Sequence, residues 1–166
     1  MLTPDIQQAA AHSVLCWLAT VGPDGQPNVS PKEIWAVADE AHIVIAHIAS
    51  PTSVRNVQAH PQVCVSFVDV SVQKGFKVLG EARLITPADT DYDRWSAPLI
   101  TLAGPKFPIR AVLLVRATRV EPIVAPSYRL YRDSVTEASQ VQAAMRRYGV
   151  RPGGDQPPDS GTAGVF

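Results

Sequence analysis

The sequence is poor in the residues that most often announce a function. Its 166 residues include two cysteines, Cys16 and Cys64, each inside an apolar run. A pair so placed reads as buried free thiols rather than as a disulfide framework or a metal pair. Acidic and basic residues are equal in number, 15 of each. No charge excess therefore points to nucleic acid or to an anionic membrane. No apolar run approaches the roughly 20 residues of a membrane span, and the start MLTPDIQQAA lacks the basic segment of a secretory signal. The expectation is a cytoplasmic protein. His12, His42, His47 and His60 have no paired helical spacing and no Cys or carboxylate in motif, so no metal site is expected. No Ser-His-Asp or Cys-His arrangement is legible, and no internal repeat. The length is that of about one domain, enough for a real core.

The richest stretch runs from Ile43 to Phe67. Ile43 to Ile48 reads as a strand, and Ser50 then stands directly before Pro51. Ser50 suits a helix N-cap, and Pro51 suits the first helical position, where its missing N–H costs nothing. His60-Pro61 ends that helix, because the residue before a proline is pushed out of the α region. Val63 to Val68 returns to strand-forming residues. The first turn of such a helix carries unpaired N–H groups and the positive end of the helix dipole, a seat for an anion. Ser50, Thr52 and Ser53 would surround that seat, with Arg55 on the next turn. The same hydroxyls also suit an ordinary capped, solvated helix.

Around this corner the chain falls into hairpins. Pro4 opens a short helix ending near Ala11. Ser13–Val21 is a strand, GPDGQPN a turn, and Asn28–Val37 the return strand, which Pro31 assigns to an edge or a bulge. Ser71–Gly75 is a turn and Phe76–Ile85 a strand. Gly80 in its middle marks a bulge or a close backbone approach. Thr86-Pro87-Ala88-Asp89 reads as a helix start and Trp95–Pro108 as irregular chain. Ile109–Val120 is the sixth strand. Ser134-Val135-Thr136-Glu137 reads as a capping box opening a helix that Gly149 stops near Tyr148. The expected organisation is one domain, residues 1–150, with a flexible or partner-contacting tail, residues 151–166. Six strands in hairpin order with short helices imply a mainly β fold, an antiparallel barrel. Its leftover apolar stretches imply a homodimer.

These residues carry a resemblance. LATVGPDGQPNVSPKEIW, ASPTSVRNVQAHPQVCVSF, GFKVLGEARL and FPIRAVLLVRATRVEPIVAPSY, in that order and spacing, resemble the pyridoxamine 5'-phosphate oxidase-related family of FMN-binding split barrels. The matching features are the Asp24-Gly25-x-Pro27 hairpin, the Arg55-Asn56-Val57-x-x-His60-Pro61 helix and the Gly80-x-Ala82 strand. The resemblance implies a six-stranded antiparallel split barrel with a C-terminal helix. It further implies an oxidoreductase acting on a small molecule, and two FMN sites at a homodimer interface. It places the cofactor near Lys32, the turn Ser50, Thr52 and Ser53, and Lys74, Gly75 and Lys77; Glu33, His47, Arg55 and Asn56 join the candidates from their own positions around that turn. Ser53 stands where many members have a lysine, and Pro27 where the oxidases have an arginine. The C-terminal Arg/His substrate pattern of those enzymes is absent. A deazaflavin coenzyme in place of FMN, or a flavin carrier without turnover, stays open beside the oxidase-like reading. Haem, which related barrels bind, ranks last, since no His has an axial-ligand setting.

A flavin site needs positive charge for the phosphate, donors near the ring's pyrimidine edge and apolar surface beneath the ring. Arg55 or Lys77 suits the first, Lys32 the second, and Ile34, Trp35 or Ile45 the third. Each has a plainer alternative. Lys32 suits a solvated edge-strand lysine, Trp35 core packing, Asn56 a tie between helix and neighbour, and His47 a filler of the barrel mouth.

Overall fold

The computed structural model describes residues 1–152; most of the expected tail lies outside them. The order is α1 (Pro4–Ala11), β1 (Cys16–Val21), β2 (Pro27–Lys32), β3 (Trp35–Val37), β4 (His42–His47), α2 (Pro51–Ala59), β5 (Gln62–Asp69) and β6 (Lys74–Ile85). α3 (Tyr92–Ala103), β7 (Ala111–Val124), α4 (Ser127–Leu130) and α5 (Glu137–Tyr148) follow. All strand pairings are antiparallel, in one sheet of order β2-β1-β5-β6-β7-β4-β3. β2 and β3 lie at opposite ends of that order, yet only Glu33 and Ile34 separate them in the chain. The sheet must therefore curl until its ends come together at this corner, and β3 extends its ladder with β4 by Ala46 N–H donating to Ile34 C=O at 2.9 Å. This is the expected split barrel, with the expected long second strand broken in two. The break makes seven strands of six.

The barrel interior holds Cys16, Leu18, Trp35, Ile43, Ile45, Val65, Phe67, Val78, Leu113 and Val115, with Leu2 and Ile6 of the N-terminal segment packed against them. Trp35 and Phe67 rings sit 5.1 Å apart. A second cluster of Val44, Ile85, Trp95, Leu99, Val112 and Leu114 lies on the other face of β4 and β7. Both strands are thus covered on two sides, which is why IVIA and VLLV run apolar without alternation. α3 supplies that outer cover. The irregular chain expected at 95–108 is for the most part this helix, despite Pro98 inside it. Trp95 and Leu99, one turn apart, each gain roughly 1.5–3 kcal/mol on burial, and tertiary packing outweighs the proline. The helix start expected at Thr86 is instead a turn, in which Asp89 accepts from the Thr86 N–H and hydroxyl, both at 2.7 Å.

Gly80 marks a register shift between β6 and β7, as expected of it. A Cβ there would lie 2.4 Å from Arg116 O. α5 ends at Gly149 in the left-handed conformation as expected, but its cap is Thr136, boxed with Ser139, not Ser134. Cys16 is buried, whereas Cys64 is half-buried rather than buried.

Candidate functional site

β2 inverts the usual strand pattern. Its outward residues are Pro27, Val29 and Pro31, all exposed; its inward residues are Asn28, Ser30 and Lys32. Inward, these polar side chains meet α2. Asn28 and Asn56 each donate an amide N–H to Thr20 Oγ1, at 3.3 and 3.0 Å. Ser30 Oγ and Ser53 Oγ share a hydrogen bond of 3.1 Å. Lys32 Nζ donates to Ser50 Oγ at 2.7 Å and to Ser53 Oγ at 3.3 Å.

Lys32 is not the solvated edge lysine of the plainer reading. It is 5% exposed, and among the described residues no carboxylate lies within ion-pair distance of it. Burial holds its ammonium below the ordinary lysine range. A buried cation balanced only by hydroxyls is costly. Ser50 sits at the expected cap position, but its hydroxyl caps nothing; its oxygen accepts from Lys32 instead. The first N–H groups of α2 are consequently left without a side-chain acceptor.

His47 ends β4 beside this turn. Its Nδ1 is buried with no hydrogen-bond partner, and burial, then Lys32 and Arg110, lower its pKa. Two cavities flank the start of α2. One of about 210 Å³ is lined by Lys32, Glu33, Ile34, Ala46, Ser50 and Phe107, among others. The other, about 500 Å³, lies between α2 and the β1–β2 hairpin and is lined by Asp24, Asn28, Thr52, Arg55 and Asn56, among others.

The structure therefore brings Lys32, Glu33, His47, Ser50, Thr52, Ser53, Arg55 and Asn56 around one corner. It does not bring Lys74, Gly75 and Lys77 there within one subunit. Lys74 pairs with Glu137 and Lys77 with Glu121, each at 2.7 Å. Gly75 is required by packing, since a Cβ there would lie 2.0 Å from Phe67 O. Trp35 and Ile45 belong to the core, whereas Ile34 lines the cavity beside Lys32 and Ser50. Thr20, Asn28 and Ser30 were not anticipated. The polar alternation Asn28, Ser30, Lys32 between Val29 and Pro31 was the signal that could have found them.

The thiols offer no nucleophile here. Burial pushes Cys16 up to about 12 and raises Cys64, so both stay protonated near neutrality. Among the described residues no three His, Cys, Asp or Glu side chains converge as a metal site. No described helix is long and apolar enough to cross a membrane.

Solved structures share the fold. HupZ of Group A Streptococcus is 20% identical with a TM-score of 0.65, over 75% of this chain and 96% of that one. An FMN-binding protein from Syntrophomonas wolfei is 15% identical with a TM-score of 0.60, over 70% and 82%. An F420 reductase is 23% identical with a TM-score of 0.55, over 72% and 98%. No curated protein matches the sequence. The family model for pyridoxamine 5'-phosphate oxidase matches residues 2–124, the span from the N-terminal helix through the last strand of the barrel. The chain thus belongs to the pyridoxamine 5'-phosphate oxidase family.

Proposed function

We propose that this chain is an FMN-dependent oxidoreductase of a small molecule, with the cofactor bound at a homodimer interface. One observation carries the reading: Lys32, buried and balanced only by hydroxyls at the open start of α2. Together with the unpartnered Nδ1 of His47, it calls for an anionic, hydrogen-bonding ligand at this corner. The residues fit FMN. Thr52, Arg55 and the α2 N–H groups would hold the phosphate. Lys32 and His47 would face the ring's polar edge, and Ile34 its apolar surface. FMN when bound supplies the redox step, accepting an electron pair from one small molecule and returning it to another. The protein's own work is to hold the cofactor and shield it from water.

Dimerisation is supported by the outer face of β1 and β2. Trp17 is 46% and Val29 57% exposed, and the register places Trp17 beside Pro31 and Ala19 beside Val29. An outer strand face that carries Trp17, Val29 and Pro31 in the open is suited to a second copy. Across such an interface Lys74 and Lys77 of the partner could approach the cofactor, which their own subunit does not allow.

A deazaflavin coenzyme is the second reading. It rests on Ser53 standing where many members have a lysine, and on the shared fold with an F420 reductase. Competition between the two coenzymes for the purified protein separates them. Turnover is tested by adding NADH, then NADPH, to the FMN-loaded protein without oxygen. Loss of the flavin band supports an oxidoreductase that draws on these donors. Tight FMN binding with no loss for either favours a carrier.

A further inference from the structure

We infer that Lys32 is an aldehyde-reactive lysine, forming an imine with a small aldehyde admitted to the cavity beside it. Three features of the geometry carry this. Lys32 is buried at 5% exposure and has no carboxylate partner among the described residues, so in the ligand-free protein no ion pair opposes the loss of a proton from its ammonium. Its two hydrogen-bond partners are hydroxyls, at 2.7 and 3.3 Å, which accept hydrogen bonds from the nitrogen and can relay its proton by passing on their own. The chain extends through Ser53 to Ser30 at 3.1 Å. Finally, Lys32 lines a cavity of about 210 Å³ whose other walls include Ile34, Ala46, Ile48 and Phe107.

That volume lies below the roughly 300–1,000 Å³ of pockets for drug-sized ligands, which limits the partner to an aldehyde of a few carbons. The apolar side chains Ile34, Ala46, Ile48 and Phe107 on the cavity walls disfavour the charged ammonium beside them. Burial lowers the ammonium's pKa in the same sense.

The chemistry balances without an oxidant. The Lys32 nitrogen adds to the carbonyl carbon, and its proton passes to the carbonyl oxygen to give a carbinolamine. Loss of that oxygen as water, with a second proton from nitrogen, leaves the C=N bond. Ser50 Oγ is placed to carry these protons and Glu33, on the same cavity, to exchange them with solvent. Lys74 and Lys77 provide internal controls, because each is held in an ion pair with a glutamate.

The test uses the purified full chain, propanal as probe and cyanoborohydride to trap the imine, with peptide mapping by mass. Lys32 should be propylated faster than Lys74 and Lys77 by about tenfold or more near neutral pH, as for a lysine that titrates lower. Ser50→Ala should slow labelling at Lys32 and leave that at Lys74 unchanged. Labelling of Lys74 and Lys77 with Lys32 untouched would overturn the inference. So would equal rates at all three. Labelling is run on the flavin-free chain, because FMN at this corner would cover Lys32. Labelling there reads the inference, and protection of Lys32 by added FMN reads the cofactor assignment, so the two can fail independently.

Discussion

Lys32 Nζ lies 2.7 Å from Ser50 Oγ, which ties the last residue of β2 to the residue before α2. The hydroxyl that would close the helix start is thereby committed to a buried cation. An anion arriving at α2 meets free N–H groups and an unbalanced positive charge together.

Replacing Lys32 separates its structural from its ligand-binding role. Lys32→Met keeps the bulk of the stem and removes a buried charge. The cofactor-free variant should remain within about 1 kcal/mol of the wild type in chemical denaturation. The spectrum and reduction midpoint of bound flavin should shift. A folded variant with both unchanged would leave Lys32 with packing alone.

Arg55 lines the 500 Å³ cavity with Thr52 and Asn56 and makes no ion pair among the described residues. Arg55→Ala should weaken FMN by roughly 1.5–3 kcal/mol, the scale of a charge-assisted hydrogen bond, and riboflavin far less. Equal losses for the two ligands, measured by fluorescence titration, would place the phosphate elsewhere.

The corner where α2 begins was legible because its signals are local. Ser50, Pro51 and His60-Pro61 state the helix ends by themselves, and β-branched residues state the flanking strands. The break at Glu33–Ile34 was not legible, since it arises where the chain passes from one end of the curled sheet to the other, an order set by the pairing of distant strands. α3 was hidden by Pro98 and Gly104, because only the buried face of β4 and β7 explains why Trp95 and Leu99 are held there. Lys32 was legible as a candidate but not as a buried one. Its environment depends on Ser50 and Ser53, 18 and 21 residues away.

Proton linkage gives a third test. His47 is lowered from an ordinary value of 6.5, first by burial and then by Lys32 and Arg110. Between its folded value and 6.5 the unfolded chain binds more protons. Stability should therefore fall as the pH drops below 6.5, and this component should level off once the folded imidazole is protonated. His47→Gln should lack this component in denaturant titrations on the acid side of neutrality. An identical pH profile in the variant would contradict the assignment. Because an anionic ligand opposes Lys32's effect, phosphate-loaded or FMN-loaded protein should show a smaller component.

The outer face of β1 and β2 gives a fourth. Trp17→Glu places a charge beside Pro31 on the apolar strip that continues through Val29 to Val21. The variant should sediment as a monomer at concentrations where the wild type is a dimer, and should lose FMN binding with it, while its far-ultraviolet circular dichroism is retained. A wild type that is monomeric and still binds FMN would remove the interface from the account.

The central claim is that an anionic flavin is held where β4 turns into α2, and binding of FMN to the purified full chain tests it most directly. After incubation with FMN and gel filtration the protein should be yellow, and the chromophore released on denaturation should have the mass of FMN. Lys32→Met together with Arg55→Ala should largely abolish retention. A wild-type protein that elutes colourless would contradict the claim, as would one whose retained FMN is unaffected by the double replacement.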